Sequence, residues 1–327
     1  MDSNIIEKFK NSKVIVLGDV MLDKYLYGKI ERISPEAPVP IVSLEQREAR
    51  LGGAANVALS IKALEAEPVL FSIVGDDENG KIIKKLVREK HISADHLLVS
   101  THRKTTVKSR ILASNQQILR VDEEDTYALD TNIEEQLLHS LTEYVNQNEV
   151  AVIIFQDYNK GVLGPNLIKE VIALAKSNKI PTVVDPKKDN FWAYTGVTCF
   201  KPNLKEIRDA LSLNIEPTKE SLTHVHKALH QKLQNEISLI TLSEHGIFYG
   251  MNDNSHLIPT KPRKIVDVCG AGDAVVAIVS LCIAHHVNPL IICKLANMAG
   301  GQVCESVGVV PVEKSNLCRE LSTEATL

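Results

Sequence analysis

The sequence predicts an α/β fold: a mostly parallel sheet covered by helices on both faces, with a small β lid inserted in it. Three observations predict it. Apolar runs of strand length alternate with helical stretches through the second half, the pattern of a parallel sheet with crossover helices. Two β-rich segments, near 20–50 and 103–123, break that rhythm and read as the lid. No repeat, low-complexity tract or linker divides the 327 residues, so a single domain over 1–327 is expected.

The elements follow in order. Residues 14–17 are apolar and end at Gly18-Asp19, a buried first strand. Between Tyr25 and Arg50, Pro35, Pro38 and Pro40 interrupt short β-type runs, predicting edge strands or loops instead of a central strand. Gly52-Gly53 leads a helix over 54–65, a strand covers 69–74, and a helix covers 79–90. Residues 105–122 predict a hairpin turning at Ser114-Asn115. Its parity sets Val107, Ile111, Leu119 and Val121 on an apolar face, and Lys108, Arg110 and Arg120 on a partly cationic one. A polar helix over 132–146 leads into the alternating half. There, strands at 150–155, 181–184, 199–200 and 237–242 alternate with helices at 165–177 and 204–211. A hairpin partner at 246–250 and two apolar helices, 271–286 and 289–306, complete the chain.

Composition excludes several classes. The chain is 44% hydrophobic and 24% charged, ordinary for a protein with its own core. Aromatic residues make up 4%, too few for stacking platforms along single-stranded nucleic acid. The formal net charge of -4 supplies no field that would draw the chain to nucleic acid or an anionic membrane. The six cysteines form no C-x-x-C pair and read as buried thiols. The polar N-terminus lacks a signal-peptide core, and no run of about 18 apolar residues occurs. A cytoplasmic location is expected, with neither nucleic acid nor membrane as a partner.

The chemistry concentrates in Asp267-Val-Cys-Gly-Ala-Gly-Asp-Ala274, which enters an apolar helix. Gly270, Ala271 and Gly272 would place free N–H groups at a helix N-terminus, an anion site. Asp273, in the same first turn, could accept a proton from a substrate hydroxyl beside that cradle, as phosphoryl transfer requires. The plainer reading is a helix start with an N-terminal carboxylate. A Walker A loop is absent, and Val275 stands where a G-x-G-x-x-G motif needs glycine. Lys108, Arg110 and Arg120 project from one hairpin and could grip a phosphate. Lys187 follows an Asp-Pro turn as a further candidate cation. Thr241, Ser243 and Gly246 end a buried strand at the sheet's carboxyl edge, where α/β ligands bind.

The 267–274 segment resembles the C-terminal signature of PfkB-type sugar kinases, and Gly52-Gly53-Ala-Ala-Asn56 resembles their N-terminal one. The resemblance covers essentially the whole chain and implies a ribokinase-like fold. It implies a catalytic role for Asp273, Gly270, Ala271 and Gly272. It implies sugar contacts by Asp19, Asp23, Gly52, Gly53 and Asn56. Asn203-Leu204-Lys205-Glu206 resembles the N-x-x-E motif that serves the nucleotide phosphates and Mg²⁺, with Glu206 reaching the metal indirectly, through water. Asn297 is placed near adenine on resemblance alone. Further segments are similar to the members of this family that phosphorylate D-glycero-β-D-manno-heptose 7-phosphate at its anomeric hydroxyl. They are Gly18–Tyr25, Arg32–Pro40, Asn115-Gln116-Gln117 with Arg120, Asp157–Gly161 and Val184–Lys187.

ATP and Mg²⁺ are the implied cofactors and a sugar phosphate the implied partner, with a homodimer through the lid. Cys269 stands where threonine is usual, and Gly308-Val309 where Gly-Thr is usual. Both departures make a monovalent cation a doubtful requirement. Some relatives carry a C-terminal adenylyltransferase, for which the residues after about 310 leave no room. Two alternatives stay open: a kinase of the same family acting on a hexose phosphate or free sugar, and a non-catalytic sugar- or nucleotide-binding regulator.

Overall fold

The computed structural model describes residues 4–113 and 116–324. The chain opens with helix α1 (Asn4–Glu7) and strand β1 (Lys13–Gly18). It runs out along β2 (Val20–Ile33), returns along β3 (Pro40–Gly53), and continues through α2 (Ala54–Ala63), β4 (Glu67–Gly75) and α3 (Glu78–Glu89). Strands β5 (Leu97–Ser100), β6 (Val107–Ala113) and β7 (Gln116–Glu123) come next. The second half alternates: α4 (Thr131–Gln147), β8 (Val152–Gln156), α5 (Pro165–Ser177), β9 (Thr182–Asp185), β10 (Cys199–Phe200), α6 (Leu204–Leu211), α7 (Lys219–Leu233) and β11 (Ile237–Thr241). A hairpin of β12 (Ile247–Met251) and β13 (Asn254–Ile258) precedes α8 (Ala271–Ala284), α9 (Pro289–Cys304) and α10 (Lys314–Glu324).

Nine strands form the main sheet in the order β13-β12-β11-β10-β9-β8-β1-β4-β5. It is parallel from β11 to β5 and antiparallel at the β11-β12-β13 edge. Period-two alternation feeds both faces. In β1, Val14 and Val16 join one core with α2, α8 and α9, while Ile15 and Leu17 join the other with α4, α5 and α7. Strands buried on both faces must be apolar throughout, which is why the sequence shows them as unbroken runs. Helix α8 is apolar all round because it is buried all round, from Asp273 to Ile283.

The lid is a separate four-stranded sheet, β3-β2-β6-β7. The 25–50 segment differs from its expected edge strands or loops: β2 is an interior strand, antiparallel to β3 and parallel to β6. The prolines do not obstruct this. Pro35 and Pro38 lie in the connection, and Pro40 is the first residue of β3, an edge strand that can spare an N–H there. Register shifts at Tyr27/Gly28 and Ile30/Arg32 absorb the local irregularity.

Sequence patterning missed α1, β5, α7, β13 and α10. Helix α7 buries Leu222, Val225, Leu229 and Leu233 as a thin stripe among lysines and histidines, and β13 is a half-exposed edge strand that opens with the polar Asn254, Ser255 and His256. All six cysteines are free thiols, and four of them, Cys199, Cys282, Cys293 and Cys304, are buried. Among the described residues no helix is long and apolar enough to cross a membrane.

Candidate active site

Helix α8 begins at Gly270, which holds φ +82°, a conformation that suits glycine. A side chain at that position would also press on Asn56, whose amide nitrogen lies 3.0 Å from where the Cβ would sit. One turn in, Asp273 is buried. Its Oδ1 accepts from the Tyr158 hydroxyl at 2.7 Å and from Gln156 Nε2 at 3.1 Å, and its Oδ2 accepts from Asn56 Nδ2 at 2.7 Å. Burial pushes its pKa up to about 6, against the pull of the Asn56 and Tyr158 donors.

On one side of Asp273 lies a cleft of about 970 Å³. The predicted Lys187, Asn203, Thr241, Ser243, Gly246 and Asn297 line it together with Gly270–Asp273. The Asn297 amide donates to the carbonyls of Ile258 and Pro259 and so holds the end of β13. Asn203 and Glu206 form a reciprocal capping box at the start of α6: the Asn203 side chain accepts from Glu206 N–H at 2.9 Å, and Glu206 accepts from Asn203 N–H at 2.8 Å. The other Glu206 oxygen pairs with Lys187. Leu204 and Lys205 lie in that first turn and do not line the cleft.

Lys187 also faces Asp185, 3.6 Å away, and Asp185 in turn takes the buried Lys201 at 3.1 Å. Burial opposes charge on Asp185, but the two ammonium groups hold its carboxyl below the usual range. Burial likewise opposes charge on Lys187, and the Asp185 and Glu206 carboxylates raise its pKa above the ordinary lysine value. Lys201 and Gln156 escaped sequence reasoning. Lys201 directly precedes the Pro-Asn of the N-x-x-E segment, the one signal that could have marked it.

On the other side stands the lid's inner face. Asp23 is buried in an ion pair with Arg110, and the Arg110 guanidinium lies over the Tyr25 ring. Lys108, cross-strand from Asp23, sets its ammonium 5.5 Å from the centre of the Tyr158 ring. Burial lowers the Lys108 pKa, with Asp23 acting the other way. Arg120 sits opposite Arg110 in the register, half-exposed, and pairs with Asp122 of its own strand. Gln117 is exposed on β7, and Asn115 lies outside the described residues.

Gly52 and Gly53 leave no room for side chains, since a Cβ would strike the Asp23 carboxylate and the Asp19 carbonyl respectively. Asp19 itself turns to the loop after β8, where its carboxylate accepts backbone N–H bonds from Tyr158 (2.8 Å), Lys160 (3.1 Å) and Val162 (3.1 Å). Asn56, expected at the sugar, has its amide on Asp273.

Arg50 was also missed by sequence reasoning. From the lid it donates to the carbonyls of Val307 (2.9 Å) and Val309 (3.4 Å), in the loop after α9. The Val309 N–H donates to the Tyr25 hydroxyl, and Asp267 accepts from Gly308 N–H and Cys269 N–H. The lid, that loop and the approach to α8 are thereby tied together.

A nearly dry carboxylate at a glycine-led helix N-terminus, set between a large cleft and a cationic lid, defines a phosphotransferase with an alcohol acceptor. The chain belongs to the pfkB family of carbohydrate kinases, whose profile matches residues 11–315. It is 38% identical over 315 residues to the bifunctional protein HldE of Helicobacter hepaticus, covering 96% of this chain and 65% of that protein. It is 36% identical to the HldE protein of Pelobacter propionicus, covering 96% and 64%. The chain thus spans less than two thirds of these relatives' length. Among solved structures, Escherichia coli phosphofructokinase-2 in complex with fructose-6-phosphate superposes with a TM-score of 0.77 at 16% identity, over 96% of this chain and 99% of that one. Arabidopsis thaliana ribokinase complexed with ribose and ATP gives 0.73 at 16% identity, over 95% and 99%. At such identity the likeness shows the fold.

Proposed function

We propose that these residues catalyse ATP-dependent phosphorylation of the anomeric hydroxyl of D-glycero-β-D-manno-heptose 7-phosphate, giving the 1,7-bisphosphate for ADP-heptose and lipopolysaccharide core synthesis. Asp273 is the general base. ATP lies in the 970 Å³ cleft with its γ-phosphate at the N–H groups that open α8. The sugar lies under the lid. Asp19 acts on the site through the loop it holds, and Asn56 through Asp273.

The observation that carries a phosphorylated substrate is Lys108. Arg110 is matched by Asp23 and Arg120 by Asp122, whereas the Lys108 ammonium rests over an aromatic ring with its charge disfavoured by burial. A substrate phosphate would offset that cost. The heptose itself rests on the segments of similarity and on the HldE relatives. Mg²⁺ would be held chiefly by the nucleotide phosphates and water, with Glu206 beyond the water, and would offset charge on the phosphates. Among the described residues no cluster of three or more His, Cys, Asp or Glu is placed to hold a metal directly. The Val307 and Val309 carbonyls already receive the Arg50 guanidinium, which supports the reading that this loop does without a monovalent cation. The lid's outer face, with Leu119 (53% exposed) and Val121 (44%), would suit the homodimer that the resemblance implies.

Phosphorus NMR of the purified protein with ATP, Mg²⁺ and the heptose 7-phosphate tests the reading. The expected product is the 1,7-bisphosphate. Turnover of a hexose phosphate instead, with none of the heptose, would replace the substrate. No turnover of any sugar phosphate or free sugar would favour the binding protein.

A further inference from the structure

In the scheme above, the segment Asp157-Tyr158-Asn159-Lys160-Gly161 is only the loop that Asp19 holds and the ring beneath Lys108, yet the hydroxyl of its tyrosine touches the base. Asp273 is faced by Asn56 from α2, by Gln156 and Tyr158 at the end of β8, by Asp185 and Lys187 at the end of β9, and by Lys201 after β10. Only three of these groups donate to it. An ionised carboxylate offers about four lone-pair sites, two on each oxygen. Tyr158 and Gln156 fill both sites of Oδ1, and Asn56 fills one of Oδ2. One site is left.

We propose that Tyr158 is a positioning residue: with Gln156 it fills Oδ1 of Asp273, so that Oδ2 is the atom that takes the substrate's proton. The inference rests on Asp273 as the base. In the step, the substrate O–H bond breaks and its proton bonds to Oδ2. The freed electron pair forms the new O–P bond to the γ-phosphorus, and the P–O bond to ADP breaks with its pair on the ADP oxygen.

The phenol is fixed for this work. Its backbone N–H is held by Asp19, and its ring has two ammonium groups within cation–π range, Lys108 at 5.5 Å and Lys187 at 5.6 Å. One cation comes from the lid and the other from the nucleotide cleft. The donor therefore sits where both substrates meet the base. A donor to the ionised carboxylate favours that form, which opposes the burial that raises the pKa of Asp273.

Tyr158→Phe keeps the ring and its two cation contacts and deletes the donor. The rate is measured against pH on whichever sugar substrate the wild-type protein turns over, with Asp273→Asn alongside. Loss of a hydrogen bond to a charged group predicts a fall in kcat of roughly tenfold or more, little change in the KM for ATP, and an acid limb moved to higher pH. Near-normal kcat with an unmoved acid limb, while Asp273→Asn is inactive, overturns the proposal. An active Asp273→Asn overturns the base assignment instead. Should Tyr158→Phe not fold, fluorotyrosine at 158, a more acidic donor, carries the test. The acid limb should then move to lower pH, and an unmoved limb is equally fatal.

Discussion

Asn56 and Asp273 are separated by 217 residues in the chain and by 2.7 Å in space. The amide comes from the first turn of α2, just after the lid strand β3, and the carboxylate from the first turn of α8. Both helices pack on the same face of the main sheet. This contact ties the two glycine-led segments into one site, and it pulls the pKa of the base down against the burial that raises it.

Asp273→Asn should lower kcat by at least 10²-fold, the low end of general-base contributions, while ATP binding persists. The wild-type protein should lose activity as pH falls through about 6, since the carboxyl is pushed up to that value and works only when ionised. Stopped assays across pH 5–8, with calorimetry of ATP binding to the variant, measure both. A variant with half the wild-type kcat would sink the assignment.

The three lid cations should separate. Lys108→Ala should raise the KM for the sugar phosphate roughly 10- to 150-fold, the worth of a charge-assisted contact. Arg110→Ala should do so and also lower the melting temperature, because it leaves the buried Asp23 carboxylate unpaired. Arg120→Ala should change little, as its charge is half-exposed and already paired with Asp122. Equal effects of all three on KM would mean that the hairpin docks differently with substrate bound.

Arg50 should make turnover indifferent to the monovalent cation. Rates in potassium, sodium and choline chloride at one ionic strength should agree. Arg50→Ala frees the Val307 and Val309 carbonyls and unlatches the lid from the loop after α9, so it should slow turnover and make the remaining rate respond to potassium. Strong potassium activation of the wild-type protein would contradict this.

Much of this site was legible in the sequence because its markers are local. The Gly270–Asp273 run announces a helix N-terminus with a carboxylate in its first turn, and the parity of 105–122 separates Lys108 and Arg110 from the apolar face. Asn203 and Glu206 carry their spacing within one helical turn, although that spacing could not say that Glu206 also holds Lys187. Of three residues around the base or the lid latch, Gln156 and Arg50 carry no such marker, and Lys201 carries only its place before Pro202-Asn203. Each lies at or just beyond a strand end, or on a lid strand, and reads there as an ordinary polar residue.

Periodicity and turn chemistry thus determined the α/β class, the strands that feed both cores, the lid hairpin and the helix that carries Asp273, because those features depend on residues a few positions apart. Tertiary structure alone decided that β2 lies inside the lid sheet, that Asp19 spends its carboxylate on the loop bearing Tyr158, and which groups meet Asp273. The reason is physical. A buried carboxylate must satisfy its lone pairs with donors brought by chain crossovers, and the strand order that sets those crossovers is written in no local pattern.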